Sequence, residues 1–275
     1  MRRFFLFLPA IIMLGVFVIF PAFALLGISL FDPDFSLKHV ERFVTRGVYV
    51  TVMLNTVQIS LIVALLTAAV AYPVAYFIYL QTAKTQRALL FLILVPFWMS
   101  ILVRTFSWMV VLGREGVINT LSQWSGLTDH PMQLLFTPEI VVIAMVQILL
   151  PVQVLICFSA MSEIDYDLVR ASRVLGAKPL QAMFRVFVPL SLEGVLTGCL
   201  ITFMLSMGFF ITPGLLGGPK AQMIGNLITD QVDKVNWAFA ATIALFLLVA
   251  TLAAIGLLRF LGRMFIRTLV NGSPR

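Results

Sequence analysis

The sequence has little charge for its length. Asp, Glu, Lys and Arg together make up 11% of the 275 residues, whereas 61% are hydrophobic. The mean hydropathy of +1.04 lies far outside the range of soluble globular domains. The shortage of charge therefore indicates a chain that is mostly embedded in lipid.

Residues that commonly carry out enzyme chemistry are also scarce. The chain has two histidines and two cysteines, and Cys157 and Cys199 both lie in apolar runs, where cysteine is typically a small packing residue. The sequence lacks the G-x-x-x-x-G-K-[ST] phosphate loop, the H-E-x-x-H zinc motif and the G-x-S-x-G nucleophile motif. We therefore predict a protein that is not an enzyme, with no catalytic residue, bound metal or cofactor of its own.

Long apolar runs recur along the chain, and a membrane-spanning helix needs about 20 such residues. The expected fold is an all-α, polytopic membrane helix bundle that forms one transmembrane domain over residues 1–275. Six segments have the required length and composition: residues 4–31, 51–80, 88–112, 140–160, 190–211 and 237–258.

The distribution of charge predicts the orientation of this bundle. With six spans both termini lie on one side, where the loops carry most of the Lys and Arg. The positive-inside rule places that side, with the loop 161–189, in the cytoplasm. This topology, in contact with anionic membrane lipid, accounts for the net charge of +7 without nucleic acid as a partner. The first apolar run is too long for a cleaved signal peptide.

Charged residues within the predicted spans are few, and each has two interpretations. Arg104 either extends to the outer headgroups, or lines a pathway or pairs with an acid on another helix. Glu193 is either interfacial or faces the pathway, and Trp98 either belongs to the interfacial aromatic belt or lines the pathway.

Three prolines inside the spans are expected to bend their helices: Pro73, Pro96 and Pro151.

The loop 161–189 is polar and yet has helical periodicity. Ser162 and Asp165 form an S-x-x-D start signal, and Gly176 falls between two short helical runs, where a left-handed turn is tolerated. A folded element in a short loop of a membrane protein is expected to meet a soluble partner.

This loop resembles the EAA loop of bacterial ABC importer permeases, whose pattern is E-A-A-x3-G-x9-I-x-L-P. The chain has Arg170, Ala171 and Ser172 in the first three places, and then Gly176 and Pro189 at the family spacing. Arg170 replaces the family Glu, and Ser172 replaces the second Ala, so any ion pair made by that Glu is in doubt here.

Other segments resemble permeases of the spermidine/putrescine type. They are PFWMS at residues 96–100, VRT at 103–105, GFFITP at 208–213, LGG at 216–218 and IGNLI at 224–228. The same subfamily includes importers of opines and other small organic solutes, so these motifs leave the cargo open.

The resemblance implies the type I ABC importer permease fold and a permease subunit in the bacterial inner membrane, most consistent with polyamine import. It implies four partners: a second homologous permease, two ATPase subunits and an extracytoplasmic solute-binding protein. ATP and Mg would be bound by the ATPase and not by this chain. Alternatives are import of an opine, an amino-acid-like or another organic solute by the same machinery, an ion-driven secondary transporter, and a membrane scaffold that does not transport.

The resemblance also assigns roles to residues. We expect segment 163–178 to be the coupling helix, with apolar residues in a groove of the ATPase and charged residues at the rim. The predicted coupling residues are Glu163, Asp165, Asp167, Leu168, Arg170, Ala171, Ser172, Leu175, Gly176 and Ala177. The predicted pathway residues are Trp98, Arg104, Phe209, Phe210, Asp230 and Asp233. The two acids among them would either attract a cation or be ordinary loop acids.

Overall fold

The computed structural model describes residues 7, 9, 12–31 and 37–271. The described chain is built from α-helices joined by short turns, as expected where lipid offers no partner for free backbone N–H and C=O groups. The helices are α1 (Phe20–Leu30), α2 (Lys38–Thr45), α3 (Gly47–Tyr79), α4 (Ala83–Leu94), α5 (Ile101–Leu112), α6 (Val117–Trp124), α7 (Pro138–Ser162), α8 (Tyr166–Val174), α9 (Pro179–Ala182), α10 (Val188–Met207), α11 (Ile211–Leu216), α12 (Ile224–Asp233) and α13 (Trp237–Asn271).

Helices α3, α7 and α10 form the centre of the bundle. Helices α3 and α7 run in the same direction, since Val63 of α3 clusters with Val141 of α7 at one end, and Ile78 clusters with Met161 at the other. Around this centre, α13 packs against α1, α10 and α12, and α5 packs against α11.

A buried amide joins α7 to α10. Gln153 is fully buried, and its Nε2 donates to the carbonyl of Val195 at 3.3 Å while its Oε1 accepts from the Thr202 hydroxyl at 2.8 Å. A Cβ atom added to Gly198 would lie 2.6 Å from Nε2, so glycine is what lets the two helices approach this closely. Both ends of the amide are satisfied, as burial away from water requires.

Four helical segments of the described chain are long and apolar enough to cross a bilayer: Gly47–Tyr79, Pro138–Ser162, Pro179–Met207 and Trp237–Met264. They confirm the existence of four predicted spans, although the last two helices extend beyond the predicted limits of 190–211 and 237–258. A bent pair of helices is a candidate for a fifth span. Part of the predicted first span, 4–31, lies outside the described residues, so the count of six stays a prediction.

The predicted span 88–112 is not a continuous helix in the structure, and it stays a candidate for one broken span. Segments Ala83–Trp98 and Ile101–Trp124 meet at an angle of 88°. Pro96 sits in a 3-10 turn before the break, and Met99 and Ser100 are non-helical there, with ψ of 142° and 138°. Because proline lacks an N–H and crowds the preceding turn, the expected bend at Pro96 becomes a complete interruption three residues later, at Met99.

The other two prolines behave differently. Pro73 lies inside the continuous helix α3, and Pro151 lies inside the continuous helix α7. Each removes one backbone hydrogen bond without ending its helix.

Candidate coupling loop and substrate pathway

The loop 161–189 contains helix α8, and an aspartate caps the N-terminus of this helix. Oδ1 of Asp165 accepts from the backbone N–H of Asp167 at 2.9 Å. The predicted start at Ser162 is wrong, because α7 continues through this residue and its hydroxyl donates back to the Phe158 carbonyl at 2.8 Å. Asp165 alone therefore caps the helix, and its negative charge suits the positive helix end.

Helix α8 ends at Val174, and the cap that follows contains Gly176, where the sequence predicts a left-handed turn. The backbone of Gly176 is left-handed, with a φ of +94°. Its N–H donates to the Arg173 carbonyl at 3.0 Å, and the N–H of Ala177 donates to the Ser172 carbonyl at 3.1 Å. These two bonds form a Schellman cap, which turns the chain out of the helix with its last carbonyls satisfied.

One side of α8 is anchored in the bundle, and the other is exposed. Val169 is buried in a cluster with Ile78 of α3 and Phe187. Leu168 and Leu175, which the sequence assigns to an ATPase groove, are 52% and 89% exposed, and Ala171 is exposed as well.

Val174 was not among the predicted contact residues, although it is 87% exposed. Val174 directly precedes Leu175. Both are bulky apolar residues at the end of a polar loop helix, and this is the sequence pattern that could have identified Val174. Exposed large apolar groups of this kind mark an interaction surface.

The charged residues of the loop lie along its surface. Arg170 Nη1 is 3.2 Å from Asp167 Oδ1 in an exposed pair one helical turn apart, and such pairs are worth a few tenths of a kcal/mol. Arg170, which stands where the family has Glu, is thus attached to its own helix. Glu163 follows the last residue of α7, and the Ser172 hydroxyl donates to the Val169 carbonyl at 2.8 Å.

A groove of about 290 Å³ lies where α3 meets the loop. Its walls are aromatic and aliphatic side chains, with one arginine from α8. The lining residues are Tyr76, Tyr79, Leu80, Val169, Arg173, Pro179, Leu180, Met183 and Phe187. The loop thus covers the end of α3 without filling the space beside it.

At the opposite end of α3, the turn that carries Phe209 and Phe210 is fixed by α12. Asn226 Nδ2 donates to the Phe210 carbonyl at 2.7 Å, and Asn226 Oδ1 accepts from the N–H of Met223 at 3.3 Å. A Cβ on Gly225 would meet the Phe210 Cβ at 3.0 Å. Sequence reasoning noted the IGNLI segment as a resemblance but missed its role in holding the Phe209–Phe210 turn, which depends on a contact across the fold.

The predicted pathway residues fall into separate places. Arg104 is only 7% exposed on α5, whose neighbour Thr105 lies 3.3 Å from Thr212 of α11, hydroxyl to hydroxyl. This burial argues against the interpretation in which Arg104 extends to the headgroups. Trp98 is 70% exposed beside the helix break, with its ring 6.0 Å from that of Phe91.

The two acids of α12 differ in surroundings. Asp230 Oδ2 lies 2.7 Å from Lys234 Nζ and also accepts from Gln231 Nε2 at 3.0 Å, whereas Asp233 is exposed. An incoming cation would have to compete with Lys234 for Asp230. Asp233 is the more accessible of the two carboxylates.

Comparison with known proteins decides the family. Residues 3–268 match the family described as binding-protein-dependent transport system inner membrane component. The chain belongs to this family. It is therefore a multi-pass protein of the bacterial inner membrane and a permease by kind, as the EAA-type loop indicated.

Curated relatives agree with this assignment. The chain is 37% identical over 194 residues to the spermidine/putrescine transport system permease protein PotB of Escherichia coli, a match that covers 70% of each protein. It is 34% identical over 198 residues to PotB of Haemophilus influenzae, covering 72% of this chain and 69% of the relative. The inner membrane ABC transporter permease protein YdcU of Escherichia coli is 28% identical over 207 residues.

Solved structures share the fold. A bacterial ABC transporter involved in import of the polysaccharide alginate superposes with a TM-score of 0.78 at 19% identity, covering 96% of this chain and 95% of that one. The methionine transporter MetNI, in an inward-facing conformation, gives 0.57 at 18% identity, covering 84% and 97%. Both are ABC transporters, and at these identities the likeness shows a shared fold.

Proposed function

We propose that this chain is the permease subunit of an ATP-driven importer of polyamines of the spermidine/putrescine class. The observation that carries the proposal is the 37% identity to PotB over 194 residues. Fold does not select the cargo, because the solved structures of the same fold come from an ABC transporter involved in alginate import and from a methionine ABC transporter. The extent of sequence similarity does discriminate among them.

The assembly that this function requires has further parts. The chain would cross the inner membrane six times with both termini in the cytoplasm. It would pair with a second, homologous permease, two ATPase subunits and an extracytoplasmic solute-binding protein. ATP and Mg would be bound by the ATPase subunits. A periplasmic protein bound to the alginate transporter supports this kind of partner.

Helix α8 would be the coupling element. Leu168, Val174 and Leu175 are exposed apolar groups that an ATPase groove would bury, and Asp167 and Arg170 would lie at its rim. Burial of one leucine contributes about 1.5–3 kcal/mol, so these contacts would favour docking of the helix in that groove.

Motion would enter the bundle through the anchored side of α8. Val169 belongs to the same buried cluster as Ile78 of α3 and Phe187, which immediately precedes α10. A displacement of α8 by the ATPase would therefore move the ends of two central helices together. Because packed interfaces rearrange between discrete states, the result would be alternating access and not gradual loosening.

Recognition of the cation would involve the opposite end. Asp233 offers an exposed carboxylate there, and Phe209 and Phe210 offer aromatic faces suited to cation–π contacts. Trp98, which is exposed beside the helix break, would offer a separate aromatic face along the pathway. In this scheme Asp230 would serve only after release from Lys234.

The direct test is uptake by the reconstituted assembly. We expect proteoliposomes that contain both permeases and the ATPase to accumulate radiolabelled spermidine or putrescine when ATP is enclosed and the loaded binding protein is outside. Uptake of an uncharged solute of similar length is the control. ATP-independent uptake by this chain alone would establish an ion-driven transporter, and ATPase recruitment without any uptake would establish a scaffold.

A further inference from the structure

Arg104 is a buried cation whose partner is not in the described part of this chain. The side chain is 7% exposed, and neither Nε nor Nη1 has a hydrogen-bond partner. A guanidinium carries five donors and keeps its charge at any physiological pH. Leaving two of its nitrogens, Nε and Nη1, buried and unpaired is costly, so a partner from outside the described chain is expected.

The position of Arg104 on α5 increases the demand for negative charge. It is the fourth residue of the helix, and the cap residue Ser100 makes no side-chain hydrogen bond to the first turn. A helix N-terminus carries partial positive charge, and helical side chains incline towards that end. The guanidinium and the free N–H groups of the first turn therefore favour an anion in the same region.

An open apolar groove runs along α5, the helix that carries Arg104. It has a volume of about 420 Å³, and all of its lining residues belong to α5. Ser107 and Val111 of this groove lie three and seven residues after Arg104 and so share its side of the helix. Phe106 and Val110, also in the groove, are 51% and 71% exposed. The groove has only one wall within the described residues.

We propose that an apolar helix of the second permease subunit packs into this groove and places an aspartate or glutamate carboxylate against Arg104. The inference rests on the proposed function, which supplies that subunit, and adds to it the surface and the charge pair. One such helix would satisfy both features, since its apolar side would complete the groove and its acid would neutralise the guanidinium.

Other occupants fit less well. A polyamine carries the same sign of charge as Arg104 and would be repelled by it. The acyl chains of a phospholipid would cover Phe106 and Val110 but would leave the guanidinium without a partner, unless the phosphate lay at the same depth. An acidic residue on an apolar helix needs no such coincidence.

The first experiment locates the neighbour of the groove in the complete assembly. A photo-crosslinking amino acid is placed singly at Ser107 and Val111, with Val249 of α13, which is 63% exposed, as the control position. We expect adducts with the second permease from the two α5 positions and none from Val249. Adducts with lipid alone, or with the second permease only from Val249, would overturn the proposal.

The second experiment tests the charge. Arg104→Glu should weaken retention of the second permease on the purified complex on the order of 100-fold, as expected when one member of a buried charge pair is removed. Arg104→Lys should retain it better, because the charge is kept, and Arg114→Glu, in an exposed loop, should have no effect. The crosslinks identify the segment of the second permease that carries the acid. Reversing the charge of that acid should restore association with the Arg104→Glu chain.

The outcomes separate two kinds of failure. If Arg104→Glu is poorly folded by gel filtration, Arg104→Gln replaces it in the same measurement. Unchanged association of a folded, neutral Arg104→Gln chain would refute the charge pair. If the wild-type chain retains no second permease at all, the proposed function itself fails, independently of Arg104.

Discussion

Replacing Gly176 by alanine tests whether the shape of the α8 cap is needed for coupling. The residue has a φ of +94°, and a Cβ atom there would find no other atom within 4 Å. The cost of the substitution is therefore conformational and not steric. For an L-residue in the left-handed region it is about 1–2 kcal/mol, which lowers the ratio of capped to uncapped chain roughly 5- to 30-fold.

This loss should be visible in the ATPase rate of the reconstituted assembly. We expect Gly176→Ala to reduce stimulation by the loaded binding protein, by at most this factor, while the chain inserts and assembles normally. Gly176→Asn should be milder, because asparagine tolerates the left-handed region.

Gly126→Ala is the matched control. Gly126 has a φ of +71° and equally open surroundings, but it lies between α6 and α7 at the other end of the bundle. Equal losses from both alanine variants, or wild-type stimulation in Gly176→Ala, would show that the cap of α8 has no special role.

Three further predictions concern other parts of the chain. Asp165→Ala should destabilise α8 by about 1 kcal/mol through loss of its cap, and faster hydrogen exchange confined to α8 would report it. Gly198→Leu should prevent folding, because its Cβ would overlap Gln153, whereas Gly256→Leu, with no atom within 4 Å of its Cβ, should leave the yield of monodisperse protein unchanged. Asp233→Asn should raise the KM for polyamine uptake several-fold and leave that of a neutral solute unaltered; equal changes for both would remove the carboxylate from cation recognition.

The sequence was sufficient for the features that depend on local composition. Helices α3 and α7 begin and end within four residues of the predicted limits 51–80 and 140–160, because a long apolar run has no stable alternative in lipid. The left-handed Gly176 followed from its position between two helical runs, since glycine lacks the Cβ that makes this conformation costly.

Features that depend on contacts across the fold were not accessible in this way. The helices on both sides of the break at Met99 and Ser100 are apolar. Hydropathy therefore predicted one uninterrupted span and did not reveal the break. The burial of Arg104 is set by neighbouring helices, and a sequence window does not reveal which side of α5 they cover. The start of α8 was misplaced because Ser162 bonds to its own preceding helix.

Helix α3 connects the two ends of the molecule through a single stiff rod. Near one end, the Thr56 hydroxyl accepts from the N–H of Ile224 at 2.8 Å and so holds α12. Near the other end, Ile78 lies in the same buried cluster as Val169 of α8. At 1.5 Å per residue these points are about 33 Å apart. The rod lacks one backbone bond, at Pro73, close to the anchor. It should therefore bend most easily near α8. The continuous part of the helix on the other side of Pro73 should carry the displacement to the far end, where a small change in helix angle produces the largest linear movement.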